Sequence, residues 1–149
     1  MAEKKILVVD YDTNSLEDLC DLVGGRNVKV IKATNGQQAY EKYISEKPDL
    51  IILEAMLPKL HGFDLTQKIH KETRGGIPII IVTGLYKGAQ YRNEAIRSFG
   101  AEAYFEKPYD KDKLLETINR LLHDEVNIED DLPAPEAVIK IVKQMEEKE

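Results

Sequence analysis

Five short apolar runs punctuate the chain: Ile6–Val9, Val28–Ile31, Leu50–Leu53, Ile77–Val82 and Ala103–Phe105. Most are continuous rather than alternating, the pattern of parallel strands buried on both faces. The stretches between them carry apolar residues at helical spacing. Leu16, Leu19, Leu22 and Val23 share one face of the first, and Gly24-Gly25 is expected to end it in the left-handed conformation. Ala39 and Tyr43 mark the second, with Asn35 as its cap, and Phe63 and Ile69 mark the third, closed by Gly75-Gly76. Ala95, Ile96 and Phe99 mark the fourth, closed by Gly100. Leu114, Leu115, Ile118, Leu121 and Leu122 mark the fifth.

Strand and helix thus alternate five times. The pattern predicts an α/β fold: a five-stranded parallel sheet with helices on both faces and right-handed crossovers. In such folds chemistry gathers beyond the carboxyl ends of the strands. The residues in that position are Asp10, Tyr11, Asp12, Glu54, Thr83 and Lys107.

Charge divides the chain. Net charge is −6, which argues against non-specific binding to nucleic acid. From Asp124 to Glu149 there are nine acids and three lysines, so the part before is balanced. The expected division is a globular domain over 1–123 and an acidic appendage over 124–149. Within the appendage, His123–Asp131 is polar and acidic and is expected to be a linker. Pro135 suits the first turn of a helix, and Val138, Ile141, Val142 and Met145 follow at helical spacing, predicting a short amphipathic tail helix.

Cys20 is the only cysteine, which rules out an intrachain disulfide and a cysteine-based zinc site. No run approaches the ~18 apolar residues of a membrane span, and the N-terminus lacks the apolar core of a secretory signal. A cytoplasmic protein with no membrane association is expected. His61, His70 and His123 show no metal-ligand spacing and are expected at the surface. Lys87–Arg92 offers two cations and an aromatic, either a docking patch or a solvated loop.

In order along the chain, the strand-end motifs resemble those of a response-regulator receiver domain from Lys4 to about His123. Ile6-Leu7-Val8-Val9-Asp10 resembles the first strand with its acidic terminus, and Pro48-Asp49-Leu50-Ile51-Ile52-Leu53-Glu54 the strand that carries the phospho-acceptor. Met56-Leu57-Pro58, Gly62-Phe63, Ile77–Thr83 and Gly100–Pro108 match the later landmarks. The resemblance implies the flavodoxin-like (βα)5 receiver fold and a site for phosphoryl transfer to an aspartate. In that site magnesium is held by carboxylates and a backbone carbonyl, while a lysine and a hydroxyl bind the phosphoryl oxygens. Movement of the hydroxyl then draws a switch aromatic inward.

Carried over residue by residue, the resemblance makes Asp10 the first acid, Thr83 the hydroxyl, Lys107 the lysine and Tyr104 the switch aromatic. The Met56 backbone carbonyl falls at the vestigial metal position. Two positions depart from the family pattern. Tyr11 stands where a second acid is expected, and a neutral phenol is a poor ligand for a hard cation. Glu54 stands at the acceptor position with one extra methylene, and a displacement on the order of 1 Å can cost ~100-fold in rate. Asp12 is expected to point away from the site.

The reading that follows is a pseudo-receiver in phosphorelay signalling. It is not an enzyme, needs no cofactor, binds magnesium weakly or not at all, and pairs Glu54 with Lys107. Its partner is expected to be a histidine kinase, output domain or other signalling protein. That partner would dock on the fourth helix, fifth strand and fifth helix, and a homodimer is also open. The alternatives are a magnesium-dependent switch with an unusual acceptor, Glu54 or Asp12, and a flavodoxin-like ligand-binding enzyme. The missing Gly-rich loop after the first strand opposes the last. Asp10 and Glu54 as solvated strand ends, and Thr83 as a mere loop cap, are the plainer alternatives.

Overall fold

The computed structural model describes residues 3–25 and 27–130, the last seven of these by backbone alone. Five strands, β1 (Lys4–Val9), β2 (Val28–Ala33), β3 (Leu50–Leu53), β4 (Ile79–Thr83) and β5 (Ala103–Glu106), alternate with five helices. The helices are α1 (Thr13–Val23), α2 (Gly36–Glu46), α3 (Gly62–Thr73), α4 (Ala89–Arg97) and α5 (Lys111–Asp130). All strand pairs are parallel and the sheet order is β2-β1-β3-β4-β5. This is the (βα)5 arrangement expected from the alternation.

The burial of each strand follows its place in the sheet. Every residue of β3 and β4 is buried, because helices cover both sides of the centre. The edge strands β2 and β5 are only half covered, and Lys29 and Lys32 point out from β2. Lysines on an exposed edge also oppose pairing with another sheet. Two cores result. One contains Leu7, Val9, Ile51, Leu53, Ile79 and Ile81 with the buried faces of α2, α3 and α4. The other contains Ile6, Val8, Leu50, Ile52, Ile80 and Val82 with α1 and α5.

The helix ends show which local rules hold. Asn35 caps α2, accepting from the Gln38 N–H. α3 closes at the expected place, just before Gly75-Gly76, but the left-handed cap is Arg74, with Gly75 also at positive φ. Gly24 departs from expectation: α1 ends with Gly24 extended at φ −65°, its N–H on the Cys20 carbonyl, and the left-handed residue is Asn27. The next strand begins at Val28, so the chain must leave the helix extended and turn later.

The linker expected over His123–Asp131 is helical from His123 to Asp130, as the continuation of α5, and Asp131 lies outside the described residues. No glycine or proline occurs between Lys111 and Asp130, so nothing local stops the helix. The expected tail helix lies outside the described residues. No helix among the described residues is long and apolar enough to cross a membrane.

Candidate functional site

The carboxyl ends of β1, β3 and β4 meet the loop after β5, and the expected residues converge there. Asp10 and Glu54 directly follow fully buried strand segments and are themselves 0% and 4% exposed, so neither is a solvated strand end. Two buried carboxylates in one pocket need compensation. Lys107 supplies it, its Nζ lying 2.7 Å from Asp10 Oδ2 and 3.2 Å from Glu54 Oε1. Burial alone would draw the lysine pKa down. The hydrogen bond and charge of Asp10, followed by those of Glu54, outweigh it and hold the pKa above its ordinary value.

Backbone donors complete the pocket. Glu54 Oε1 also accepts from the Gly84 N–H at 3.2 Å, and Glu54 Oε2 accepts from the Met56 N–H at 3.2 Å. The Asp12 N–H donates to Asp10 Oδ1 at 3.0 Å. Every carboxylate oxygen of the pair therefore has a donor. The close approach of α3 keeps the loop after Glu54 in place. The Gly62 N–H donates to the Ala55 carbonyl at 2.8 Å, and a Cβ on Gly62 would come within 2.4 Å of the Glu54 carbonyl oxygen. Only glycine fits there.

The remaining predicted positions divide. Thr83 is fully buried beside the pocket, yet its Oγ1 accepts from the Leu85 and Tyr86 N–H groups and holds the loop before α4. Tyr11 is 52% exposed and its phenol stands outside the pocket. Asp12 caps α1 by accepting from the Asn14 and Ser15 N–H groups, which turns it away as expected. At Met56 the amide engages Glu54, while the side chain is exposed. Lys87–Arg92 straddles the start of α4 and is solvent-exposed throughout.

A magnesium ion does not fit the residues as they stand. Each oxygen of Asp10 and Glu54 already accepts from an N–H or ammonium donor, and Tyr11, 52% exposed, adds no carboxylate to them. A hard cation would compete with Lys107 for this one pair of carboxylates, with a neutral phenol where a further acid would serve it. Among the described residues no group of three or more His, Cys, Asp or Glu is arranged for a metal ion.

Tyr104 lies inward. It is 3% exposed, its hydroxyl donates to the Tyr86 carbonyl, and its ring stacks on Phe63 at 6.4 Å between centroids. Burial, then the charges of Glu106 and Glu54, push its phenol pKa well up. Beyond it lies an aromatic group that the sequence reading missed. His61, expected at the surface, caps α3 by accepting from the Phe63 N–H on Nδ1. That leaves the proton on Nε2, which donates to the Tyr86 hydroxyl at 3.1 Å. Tyr86 in turn packs against Phe63 and Tyr91. His70 is also partly covered, since its ring sits where a Cβ on Gly100 would come within 2.3 Å. His61 immediately before the Gly62-Phe63 helix start was the available signal, because that is the cap position.

Known proteins resemble this chain in sequence and in fold. The chain is 33% identical over 119 residues to protein PilH of Pseudomonas aeruginosa, covering 79% of this chain and 97% of that one. It is 28% identical over 123 residues to the transcriptional regulatory protein CrdR of Helicobacter pylori, of which it spans only 57%. A CheY-like response regulator receiver domain protein from Methanospirillum hungatei superposes with a TM-score of 0.75 at 29% identity, covering 85% of this chain and 98% of that one. The family model described as the response regulator receiver domain matches residues 6–119, the whole span that brings Asp10, Glu54 and Lys107 together. The chain therefore belongs to the response regulator receiver domain family.

Proposed function

We propose that this receiver takes no phosphate and serves phosphorelay signalling as a protein-interaction module, a pseudo-receiver. One observation carries the reading: Glu54, at the acceptor position, collects Lys107 Nζ, the Gly84 N–H and the Met56 N–H on its own two oxygens. Charge-assisted donors of this kind would otherwise serve a phosphoryl group attached at this point. The glutamate carboxylate, one methylene longer, reaches them itself. It carries one negative charge against the larger charge of a phosphoryl group, so the imitation is partial.

The inward position of Tyr104 fits a domain held near one signalling conformation without a chemical trigger. The surface offered to a protein partner is then α4, β5 and α5. Arg92, Lys113 and Arg120 face a shallow depression there beside Tyr104 and Phe105. A kinase, an output domain or another signalling protein is the class of partner. The receiver proper is residues 1–123, and the acidic residues after it are an appendage.

The test is incubation with a small phosphodonor and magnesium, read by intact-protein mass spectrometry. Wild type gains no phosphoryl mass. Glu54→Asp alone gains little, because Tyr11 still denies magnesium a carboxylate. Tyr11→Asp with Glu54→Asp gains far more than the two single changes together, as expected of groups that act as a unit. A wild type phosphorylated as fast as the double variant overturns the reading and makes the protein an ordinary phospho-switch.

A further inference from the structure

Tyr86, in the loop between β4 and α4, is held at every polar group it has. Its N–H donates to Thr83 Oγ1, its carbonyl accepts the Tyr104 hydroxyl, and its phenol oxygen accepts from His61 Nε2 at 3.1 Å. The phenol proton is left for Met56 Sδ at 3.9 Å, a weak acceptor. One of these partners is a histidine, the side-chain type whose charge changes between about pH 5 and 8.

The His61 ring suits this position only when neutral. Nδ1 accepts the Phe63 N–H at 3.2 Å and so caps α3, which requires its lone pair. A protonated imidazole carries a donor on both nitrogens. Its Nδ1–H would face the Phe63 N–H across a gap made for a hydrogen bond, and the positive N-terminal end of α3 opposes the added charge. The ring is only half-buried, so solvent protons reach it. Tyr86 meets it from the loop before α4 and Phe63 from its own helix, with Tyr91 behind Tyr86. The charged residues of these segments, Lys59, Asp64 and Lys87, are exposed, and Glu54 behind Met56 is engaged by Lys107. Among the described residues no carboxylate pairs with the ring. Imidazole is rigid, so a ring that turns off the Phe63 N–H withdraws Nε2 from Tyr86 in the same movement.

We propose that His61 is a proton-operated latch on Tyr104. The neutral ring seats Tyr86, whose carbonyl holds Tyr104 inward. The protonated ring leaves the end of α3, the Tyr86 phenol keeps only its sulfur contact, and the loop that anchors Tyr104 loosens. The device uses none of the Glu54 chemistry and stands whether or not Glu54 accepts phosphate.

The test is an NMR titration of the full-length chain from about pH 8 to 5. It follows the His61 ring, the Phe63 amide and the ring resonances of Tyr86 and Tyr104. All should shift with one shared midpoint. Tyr104 resonances that stay put while His61 titrates overturn the proposal, and so does a His61 ring that stays neutral down to the lowest pH. His61→Asn keeps an acceptor at the cap but carries no charge and is too short to reach Tyr86. It should hold Tyr86 and Tyr104 near their acid positions throughout, with the pH dependence lost. A dependence that survives in this variant belongs to another group, such as His70 or Glu54, and refutes the latch. Tyr86→Phe leaves α3 capped and tests the link itself: His61 should still titrate and still shift Phe63, while Tyr104 no longer follows. If Tyr104 follows as in wild type, Tyr86 does not connect the two and the proposal fails.

Discussion

The two faces of the sheet differ in kind. The buried part of the face under α1 and α5 is aliphatic apart from Cys20, with Leu16, Leu19, Leu114, Ile118 and Leu122 against Ile6, Val8, Leu50, Ile52, Ile80 and Val82. Its two aromatics, Phe105 and Tyr109, are only partly buried at its margin. The face under α2, α3 and α4 has a similar aliphatic floor but adds five aromatics, Tyr43, Phe63, Tyr86, Phe99 and the β5 residue Tyr104. Aliphatic packing is nondirectional and contributes stability by area. Aromatic rings with hydroxyls have preferred contacts and hydrogen-bond partners. Here those partners lead from Glu54 through the Gly84 N–H and the loop after Thr83 to Tyr86 and Tyr104. One face holds the fold, and the other can report the state of the pocket.

The largest effect is expected at the pocket that both faces share. Lys107→Met leaves two buried carboxylates without a cation, a loss of roughly 3–5 kcal/mol at pH 7 by urea unfolding. In acid the loss should shrink, because protonating one carboxyl relieves the stranded charge. The alkaline side has the opposite sign. The Lys107 pKa is raised in the folded state above its ordinary 10.5. Its contribution is therefore complete below that value and lost as pH rises through the folded one. A variant equally destabilised at every pH would show that packing, not charge, is what Lys107 supplies.

Next comes a change confined to the aliphatic face. Leu114 is fully buried, and Leu114→Ala should cost about 2–5 kcal/mol. The Tyr86 and Tyr104 ring resonances should stay where they are. If they move, the two faces are coupled and the division is wrong.

Glu54→Gln sharpens the same contrast from the other side. The amide retains one acceptor oxygen but turns an NH2 toward the Met56 or Gly84 N–H, leaving a donor unmet at ~1–3 kcal/mol. The stability loss is smaller than for Lys107→Met, since Lys107 keeps Asp10. The aromatic resonances should shift clearly, and absence of any shift would sever the proposed link between pocket and Tyr104.

The smallest effect belongs to Tyr104→Phe, which removes one hydrogen bond to the Tyr86 carbonyl at ~1 kcal/mol. Because burial raises the phenol pKa when folded, the unfolded chain ionises first and wild type loses stability as pH rises past ~10. The phenylalanine variant should lose that part of the alkaline sensitivity. Identical alkaline profiles would mean that Tyr104 is as free to ionise folded as unfolded.

What the sequence by itself determined is the arrangement that depends on neighbours along the chain. Continuous apolar runs specified buried strands, helical spacing specified the helices, and the alternation of the two specified the parallel sheet. Asp10, Glu54 and Lys107 were legible as site residues because a residue just after a buried parallel strand has nowhere to point but the strand-end crevice. Asn35 as a cap and Asp12 as an outsider follow from equally local rules. Three matters were decided only by the tertiary structure. Which donors surround Glu54 depends on backbone amides, and an amide looks the same at every residue in a sequence. Where Thr83 points is a competition between the pocket and its own loop, won here by two local N–H groups at short range. The His61–Tyr86–Tyr104 group joins residues from three separate segments of the chain. No periodicity records that meeting, because it comes from α3 closing on Gly62 and the loop before α4 folding over Phe63.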